Sequence, residues 1–352
     1  MNNDRTKLLL VSLGRIYGGA EIHYTRLARL LEGEADLAAV VCSPVLARML
    51  RGAGVMVYEA PAWSTGAALL RLPAVWLMML WCMATRRIRR VHLNGQAEAM
   101  FALPLRLMLQ RVIVTRHSAL TLEPNGMKRW LYRLNARFAT EIVCVSSYLA
   151  QQHEPFLRRT RLAVVPNWIP EKRPAEGRRR EDQAPYRLIF VGRLVPEKGL
   201  ADLLSAIDGL EGVELWVVGD GPFREEAEQM AVGTNTTFWG FQDEPEQFYQ
   251  QANLFISPSH SDGFSLVLME AMSHGLPALV SDLPAHRELS NDGAGAMLFR
   301  CGNALDLRSK IQYLRDNPQA AESLGRAAMQ IVDEHFTAER VAPLYRAVFQ
   351  LP

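Results

Sequence analysis

The stretch Ser257–Pro277, S-P-S-H-S-D-G-F-S-L-V-L-M-E-A-M-S-H-G-L-P, decides how the chain is interpreted. The preceding run Leu254–Ser257 is apolar and typical of a buried strand, which a proline and a glycine then end. Apolar spacing predicts a helix over Ser265–Ser273, stopped by Gly-Leu-Pro. Such a turn presents free backbone N–H groups and the positive end of a helix dipole, so it predicts a phosphate site.

Two carboxylates flank this predicted phosphate site. Asp262 precedes the helix and Glu270 lies two turns inside it. Eight residues of helix span about 12 Å, roughly the distance from the sugar to the ribose in a nucleotide sugar. One carboxylate can then bind sugar hydroxyls and the other ribose hydroxyls. The alternative is that Asp262 only caps the helix and Glu270 is solvated.

Length and charge indicate two unequal halves. The chain has 352 residues, of which 49% are apolar, enough for about two domains with separate cores. Residues 1–170 hold 22 Lys+Arg against 10 Asp+Glu, and the remainder holds 17 against 27. The basic first half predicts an anionic surface or anionic acceptor there, with solvated arginines as the alternative.

Strand-like apolar runs alternate with helical segments along the whole chain. This alternation predicts doubly wound α/β domains with parallel sheets. A Pro- and charge-rich segment predicts an interdomain linker at 171–185, between domains at 1–170 and 186–335, and 336–352 is predicted to be a terminal helix. The predicted strands are Lys7–Leu13, Leu37–Cys42, Val55–Tyr58, Val91–Leu93, Val112–Thr115, Ile142–Val145, Tyr186–Val191, Val213–Val218, Thr237–Trp239, Leu254–Ser257 and Ala278–Ser281.

Two apolar segments with flanking arginines leave a choice between burial and a membrane surface. Leu72–Thr85 holds 14 uncharged residues before Arg86, short of the roughly 20 needed for a span. We expect it to be mostly buried, with surface attachment at one edge. For Lys128–Arg137 a membrane-surface helix and an ordinary amphipathic helix stay equally open. The four scattered cysteines are expected to be buried thiols in a reducing compartment.

A second candidate phosphate loop follows the strand that ends at Val191. In Gly192–Gly199 the cations Arg193 and Lys198 stand at the two ends of the loop. Together they suit a diphosphate leaving group, on which negative charge grows as a glycosidic bond breaks. The alternative is a surface turn with two solvated cations. The loop Gly219-Asp-Gly221 also follows a strand, but that signal is weak alone.

Other classes of site have less support. The loop Gly14–Gly19 precedes a predicted helix at Ala20–Leu31 and forms another anion-binding turn, but it lacks the dinucleotide fingerprint, which disfavours a nicotinamide oxidoreductase. His117, at the end of a predicted strand, is a candidate for contact with the transferred sugar, with a structural role as the alternative. No metal-like clustering of His, Asp or Glu is evident, so no metal or other cofactor is expected.

In combination these motifs make the chain resemble the retaining glycosyltransferases of family 4, with the GT-B fold of two facing Rossmann-like domains. The resemblance covers nearly the whole chain and is densest from 187 to 290. One departure is that the first carboxylate of the family pattern is commonly Glu, whereas this chain has Asp262. The matching positions are Gly18-Gly19-Ala-Glu21, His117, Val164-Val-Pro-Asn167, Gly192-Arg193, Lys198-Gly199, Gly219-x-Gly221, Gly240, Asp262–Glu270 and Gly275-Leu-Pro277.

The resemblance implies roles for individual residues. Donor binding falls mostly to the C-terminal domain and acceptor binding to the N-terminal domain, with the terminal helix crossing back onto the latter. The implied catalytic set is His117, Arg193, Lys198 and Asp262. The implied nucleotide-sugar set is Gly18, Gly19, Gly192, Arg193, Lys198, Gly219, Gly263, Phe264, Leu266, Val267 and Glu270, with Arg193 and Lys198 on the diphosphate and Glu270 on the ribose.

The implied function is metal-independent transfer, with retention, of a hexose-type sugar from a nucleoside-diphosphate sugar, UDP favoured over GDP. The expected acceptor is a saccharide or lipid-linked glycan in lipopolysaccharide, exopolysaccharide or another cell-surface polymer. We expect a cytoplasmic protein, peripheral on the inner face of the plasma membrane, with an anionic membrane surface and no nucleic acid as partners. A non-catalytic nucleotide-sugar-binding protein and a GT-B-like phosphorylase are the alternatives.

Overall fold

The computed structural model of the chain describes residues 5–14, 18–60, 68–95, 98–117, 137–157, 160–170 and 185–351. These residues form two compact units. The first ends at Pro170 and also includes the chain from Ala338 onward, and the second ends at Thr337. Of the predicted linker at 171–185, all but Pro185 lies outside the described residues. So does the predicted helix Lys128–Arg137, except for its last residue.

The first unit is built on a seven-stranded sheet in the order β3-β2-β1-β4-β5-β6-β7, with parallel pairing throughout. The chain moves outward from β1 to β3, then crosses to β4 on the other side of β1. The carboxyl ends of β1 and β4 therefore flank the point where the strand order reverses. The strands are β1 Thr6–Ser12, β2 Ala35–Val41, β3 Met56–Glu59, β4 Arg90–Asn94, β5 Arg111–Arg116, β6 Glu141–Cys144 and β7 Arg161–Val164.

Uninterrupted apolar runs explain this sheet. Leu8–Val11 is fully buried, as expected for a parallel strand covered by helices on both faces. Side chains of Ser43 and Ser146 accept backbone hydrogen bonds and cap the helices that follow them. The helices are α1 Gly19–Leu30, α2 Pro44–Gly52, α3 Ala68–Arg86, α4 Ala102–Leu107 and α5 Ser147–His153, with short 3-10 turns at Glu98–Phe101 and Glu154–Phe156.

The second unit repeats the design with six parallel strands in the order β10-β9-β8-β11-β12-β13. Here the order reverses between β8 and β11. The strands are β8 Tyr186–Val191, β9 Val213–Val218, β10 Thr236–Gly240, β11 Leu254–Ser257, β12 Ala278–Ser281 and β13 Met297–Phe299. The helices are α6 Leu200–Ile207, α7 Arg224–Met230, α8 Glu246–Gln251, α9 Leu266–Ser273, α10 Pro284–Leu289, α11 Ala304–Asp316 and α12 Pro318–His335, with a 3-10 turn at Pro196–Lys198.

The final helix, α13 (Ala338–Phe349), packs in the core of the first unit. The hydroxyl of Tyr345 lies 2.9 Å from Nε2 of His23, although 322 residues separate them in sequence. Arg346 forms an ion pair with Glu34, with its Nε 2.9 Å from the carboxylate. Apolar side chains of α13 and one polar pairing with α1 therefore complete this core.

The apolar helix predicted at Leu72–Thr85 is part of α3, and the two faces of α3 differ. Val75 and Met79 are buried, whereas Leu77 and Trp81 are 64% and 58% exposed. No helix within the described part of the chain combines the length and apolar character needed to cross a bilayer.

The two parallel α/β sheets confirm the predicted fold class, with some differences in detail. The prediction placed no strand at β13, whose three residues carry little periodicity, and it marked the strand at β7 only through the motif that begins at Val164. The expectation that all four cysteines are buried is wrong for Cys301, which is exposed, and Cys42 is half-buried. Cys301 follows the last residue of β13 by two positions, where the chain turns at the surface.

Candidate active site

In the second unit, the loops that follow β8 and β11 lie against each other at the reversal of strand order. The backbone N–H of His260 donates to the carbonyl of Glu197 at 2.8 Å. At Gly199 the backbone has φ +69°, and an added Cβ would lie 2.0 Å from the carbonyl oxygen of Pro258. Only glycine fits this left-handed position at so close an approach. Crevices at such reversals are where ligands bind in open α/β sheets.

A similar close contact joins the loops after β8 and β9. Gly219 has φ +144°, and a Cβ there would lie 1.9 Å from the carbonyl oxygen of Gly192. The N–H of Gly219 donates to the carbonyl of Gly240 at 2.8 Å. The missing Cβ of Gly219 therefore lets the loops after β8 and β9 lie against each other at Gly192, at the carboxyl edge of the sheet.

The structure brings Lys198 and Asp262 together. Nζ of Lys198 lies 2.9 Å from Oδ2 of Asp262, and the other carboxylate oxygen accepts the N–H of Gly263 at 2.9 Å. The Asp262 side chain is 10% exposed and that of Lys198 is 30% exposed. The pair joins the loop after β8 to the loop after β11, where the sequence predicted a diphosphate site and a sugar site separately.

The surroundings of Asp262 keep it ionised. Burial alone would raise the pKa of Asp262. The opposing effects are stronger and hold that pKa below its usual range: the charges of Lys198 and His286, and the hydrogen bonds from Lys198 and Gly263. An ionised carboxylate at pH 7 accepts hydrogen bonds and donates none. Asp262 therefore suits a ligand that presents hydroxyl donors.

His286, on α10, is a further neighbour of Asp262 that the sequence did not single out. Its Nε2 lies 3.9 Å from Oδ2 of Asp262, and its Nδ1 lies 2.8 Å from the carbonyl oxygen of Ser281. The carbonyl can only accept, so Nδ1 carries the proton of the neutral ring. The ring is fully buried, and burial lowers the pKa of His286 despite the adjacent carboxylate.

The start of α9 supplies the backbone groups of the predicted phosphate site. Ser265 precedes the helix, and its carbonyl accepts the N–H of Met269 at 3.1 Å. Leu266 and Val267 lie in the first turn of α9, where backbone N–H groups have no acceptor within the helix. The Leu266 side chain is buried, so its contribution to a ligand would come from the backbone.

The remaining predicted residues of this unit differ in exposure. Arg193 has an exposed side chain. Phe264 is buried, with its ring 5.7 Å from that of Phe336, so its side chain belongs to the core. Glu270 is half-buried, and its Oε2 accepts a hydrogen bond from the Tyr249 hydroxyl at 3.3 Å. Tyr249, on α8, was not predicted.

In the first unit, His117 follows β5 and lies beside Asn94, which ends β4. Nε2 of His117 is 2.8 Å from Oδ1 of Asn94, whose amide nitrogen donates to the carbonyl of Ala20 at 3.0 Å. Because the Asn94 oxygen faces the ring, Nε2 of His117 carries the proton and Nδ1 is an acceptor. Burial lowers the pKa of His117 well below its usual range, with His23, His92 and Arg116 adding to the effect, so the ring is neutral at pH 7.

His23 connects this ring to the rest of the unit. Its ring centroid lies 4.9 Å from that of His117 in an edge-on arrangement. Nδ1 of His23 lies 2.7 Å from Oδ1 of Asn167, so Nδ1 donates and Nε2 accepts from the Tyr345 hydroxyl. Burial lowers the pKa of His23 to about 4. The sequence pointed to Asn167 only through the motif that contains it, and gave no signal for His23.

Gly19 begins α1, and Gly18 is the residue that precedes it. The N–H of Gly18 donates to Oε2 of Glu21 at 3.1 Å, and burial raises the pKa of Glu21. Glu98 is also buried in this unit and accepts the N–H of Leu13 at 2.6 Å, and burial raises its pKa to about 7. A carboxylate of the chain therefore meets the N–H of Gly18 at this helix start.

Comparisons with known proteins identify the family. The family model described as "Glycosyltransferase Family 4" matches residues 17–173, and the one described as "Glycosyl transferases group 1" matches residues 172–331. The chain belongs to the group 1, or family 4, glycosyltransferases. This confirms the resemblance drawn from the motifs, and the parallel sheets of this glycosyltransferase are those of the GT-B fold.

Individual relatives are distant. The glycosyltransferase is 32% identical over 153 residues to the sulfoquinovosyl transferase SQD2 of Arabidopsis thaliana, covering 42% of this chain and 30% of that protein. It is 26% identical over 216 residues to the lipopolysaccharide core biosynthesis glycosyltransferase LpsD of Rhizobium meliloti, covering 59% of this chain and 63% of that protein. The chain thus spans less than two thirds of each of these relatives.

Solved structures agree in fold. The glycosyltransferase superposes on HepE of Anabaena in complex with UDP and glucose with a TM-score of 0.85 and 17% identity, covering 98% of this chain and 100% of that one. It matches the apo form of the lipopolysaccharide outer core galactosyltransferase WaaB with a TM-score of 0.74 and 17% identity. The match covers 98% of this chain and 99% of that one. At this identity the likeness shows the fold alone.

Proposed function

We propose that the protein is a retaining, metal-independent glycosyltransferase. It transfers a hexose-type sugar from a nucleoside-diphosphate sugar, UDP in preference to GDP, to a saccharide or lipid-linked acceptor of a cell-surface glycan. The lipopolysaccharide glycosyltransferases LpsD and WaaB, and the complex of HepE with UDP and glucose, support this choice of donor and pathway. The family membership supports the type of reaction.

The observation that carries the proposal is the contact between Lys198 and Asp262 where the order of the second sheet reverses. A cation and an ionised carboxylate there suit the two halves of a sugar diphosphate. Lys198 turns to the diphosphate, joined by Arg193 from the same loop and by the backbone N–H groups at the start of α9. These groups stabilise the negative charge that grows on the leaving phosphate.

Once Lys198 contacts phosphate, Asp262 is released to accept hydrogen bonds from sugar hydroxyls. Its remaining neighbours are the N–H of Gly263 and the buried ring of His286. Glu270, oriented by the Tyr249 hydroxyl, accepts hydrogen bonds from the ribose. With Asp262 on the sugar and Glu270 on the ribose, the donor binds in a single orientation along the site.

His117 contributes a neutral ring to the transferred sugar. With its Nε2–H committed to Asn94, its Nδ1 is available as an acceptor for a sugar hydroxyl. Retention follows from attack on the same face that the leaving group departs from, with a leaving phosphate oxygen taking the proton of the acceptor hydroxyl. No group of three or more potential metal ligands is present among the described residues.

The acceptor and the location are also part of the proposal. Residues 1–170 hold 22 basic residues against 10 acidic ones. This positive charge suits an anionic membrane surface or a phosphate-bearing acceptor. The protein is proposed to act in the cytoplasm, on the inner face of the plasma membrane.

Thermal melting with UDP, GDP, ADP and NAD tests the donor site, because a ligand that binds the folded state raises the melting temperature. We expect a shift with one nucleoside diphosphate that Arg193→Ala removes and Arg326→Ala, an exposed arginine in the same unit, retains. A shift with NAD alone, or none with any nucleotide, would overturn the proposal. Transfer assays with the corresponding UDP-sugars then separate an enzyme from a binding protein.

A further inference from the structure

A basic cavity lies at the amino ends of β5 and β7, on the opposite edge of the first sheet from His117. Its volume is about 510 Å³, and four arginines line it: Arg106, Arg111, Arg137 and Arg161. Arg111 begins β5 and His117 follows that strand's last residue. At about 3.3 Å per residue the two are on the order of 20 Å apart, so a ligand in this cavity would be distinct from one at His117.

The charges around the cavity are poorly balanced. The one carboxylate paired with its arginines, among the described residues, is Glu141, whose oxygen lies 2.7 Å from Arg111. Nε of Arg111 is buried and has no hydrogen-bond partner in the described part of the chain. Arg106, Arg137 and Arg161 have exposed side chains. A site with several guanidinium groups and one carboxylate attracts an anion, and guanidinium forks suit a phosphate.

An exposed apolar turn borders the same cavity. Leu107 ends α4, and Met108 and Leu109 follow it before β5. The three are 76%, 44% and 88% exposed, and Leu107 lines the cavity. Leu109 also has φ +58°, a left-handed conformation that a leucine rarely adopts. A soluble anion would bring no partner for these side chains. A lipid bilayer brings both a phosphate layer and an apolar layer directly beneath it.

We propose that this edge of the first unit is the surface that contacts the membrane. The arginine cavity takes the phosphate of an anionic phospholipid headgroup, and the Leu107–Leu109 turn enters the boundary between headgroups and acyl chains. This deepens the membrane part of the proposed function and places attachment at the α4–β5 turn, apart from α3 and its following arginines. It leaves the carboxyl edge of the sheet, with His117, on the side away from the bilayer contact.

The test is co-sedimentation with phosphatidylcholine vesicles, with and without phosphatidylglycerol, at low salt. We expect binding only with phosphatidylglycerol. Because each basic residue at an anionic surface contributes roughly a factor of five, Arg137→Gln with Arg161→Gln should weaken binding about 30-fold. The matched control, Arg300→Gln with Arg326→Gln, removes two exposed arginines of the second unit and should leave binding unchanged.

A second pair of variants tests the apolar turn. Leu107→Asn with Leu109→Asn should weaken binding at least about tenfold, since two leucines would no longer be buried in lipid. Asparagine also tolerates the left-handed backbone at position 109. Val232→Asn with Leu305→Asn, 82% and 80% exposed in the second unit, is the matched control.

The outcomes separate the sources of phosphate. If wild-type protein ignores anionic vesicles, or if the cavity and control variants bind them equally, the inference is wrong. If glycerophosphate raises the melting temperature through the arginines while the apolar variant binds vesicles normally, the cavity serves a soluble anion and the membrane assignment is overturned. The UDP-dependent melting shift reports the second unit, so its survival in these variants distinguishes failure here from failure of the proposed donor site.

Discussion

Lys198 and Asp262 form an ion pair with 2.9 Å between Nζ and Oδ2, although 64 residues separate them in sequence. The cation proposed for the diphosphate and the carboxylate proposed for the sugar are therefore partners of each other in this structure. Donor binding must exchange that pair for two contacts with the ligand. The exchange predicts different behaviour for variants of the two residues.

Replacing Lys198 by Ala should weaken UDP binding about 10- to 100-fold, because a hydrogen bond to a charged group contributes roughly 1.5–3 kcal/mol. Binding of uridine, which lacks the diphosphate, should change little. Calorimetric titration of both ligands measures the difference, with Arg326→Ala as the control for loss of an exposed cation. Equal weakening of UDP and uridine would show that Lys198 does not bind phosphate.

Replacing Asp262 by Asn should have the opposite effect on nucleotide binding. The variant keeps the shape of the side chain but no longer holds Lys198 in an ion pair, so UDP affinity should be retained or increased. Transfer from the UDP-sugar should fall at least about tenfold, because a neutral amide accepts hydrogen bonds from sugar hydroxyls less strongly than the proposed carboxylate does. A variant with the full transfer rate would remove Asp262 from the site.

Tyr249→Phe tests the orientation of Glu270. Loss of one hydroxyl hydrogen bond to the carboxylate should weaken UDP binding by about 1 kcal/mol, or roughly fivefold. The variant should also reduce the preference for UDP over deoxy-UDP, which lacks a ribose hydroxyl. If the preference is unchanged in both Tyr249→Phe and Glu270→Gln, the ribose contact lies elsewhere.

The close approach of the loops after β8 and β11 predicts a large difference between two glycine variants. Gly199 and Gly209 have similar left-handed backbones, with φ +69° and +63°, but a Cβ at position 199 would lie 2.0 Å from Pro258 and one at position 209 would meet no atom within 4 Å. Gly209→Ala should cost about 1–2 kcal/mol of unfolding free energy, the left-handed penalty alone.

Gly199→Ala should cost more than Gly209→Ala and should also weaken UDP binding, because the loop carrying Lys198 must shift. Urea unfolding and UDP titration of both variants provide the comparison. Equal loss of stability in the two variants, with unchanged UDP affinity, would contradict the described packing of these loops.

The buried histidines of the first unit predict loss of stability on acidification. Burial lowers the pKa of His23 to about 4, below the value near 6.5 of an unfolded chain. Between pH 6.5 and 4 the unfolded state therefore binds a proton that the folded state does not, so stability falls as pH falls through that window. For His23 the full effect is on the order of 3 kcal/mol.

Chemical unfolding at several pH values between 7 and 4 measures the slope of unfolding free energy against pH for the wild type and for His23→Gln. The variant should have a shallower slope between pH 6.5 and 4, whatever its stability at pH 7. A pH dependence identical to that of the wild type would mean that His23 has the same pKa in the folded and unfolded states. His92 and His153, which are fully buried, and His117, which is half-buried, also have pKa values that desolvation lowers, so they should add to the dependence of wild-type stability on pH.

Much of the fold follows from local sequence. Runs such as Leu8–Val11 are apolar at every position, which only a strand covered on both faces buries completely. Glycine-rich loops after β8 and β9 and the helix at Leu266–Ser273 were predictable for the same local reasons. The candidate residues could also be named from sequence, because Gly-Arg-x-x-x-x-Lys-Gly and the spacing of two carboxylates are patterns within short segments.

The partners of those residues depended on tertiary structure. Strand order is not a local property, and only the crossing from β10 to β11 places the loops of Lys198 and Asp262 side by side. His286 meets Asp262 for the same reason, and Tyr345 reaches His23 only because the last helix packs in the first core. Sequence therefore determined which chemical groups stand at strand ends. The order of the strands decided which of those groups meet, because that order fixes which ends are neighbours.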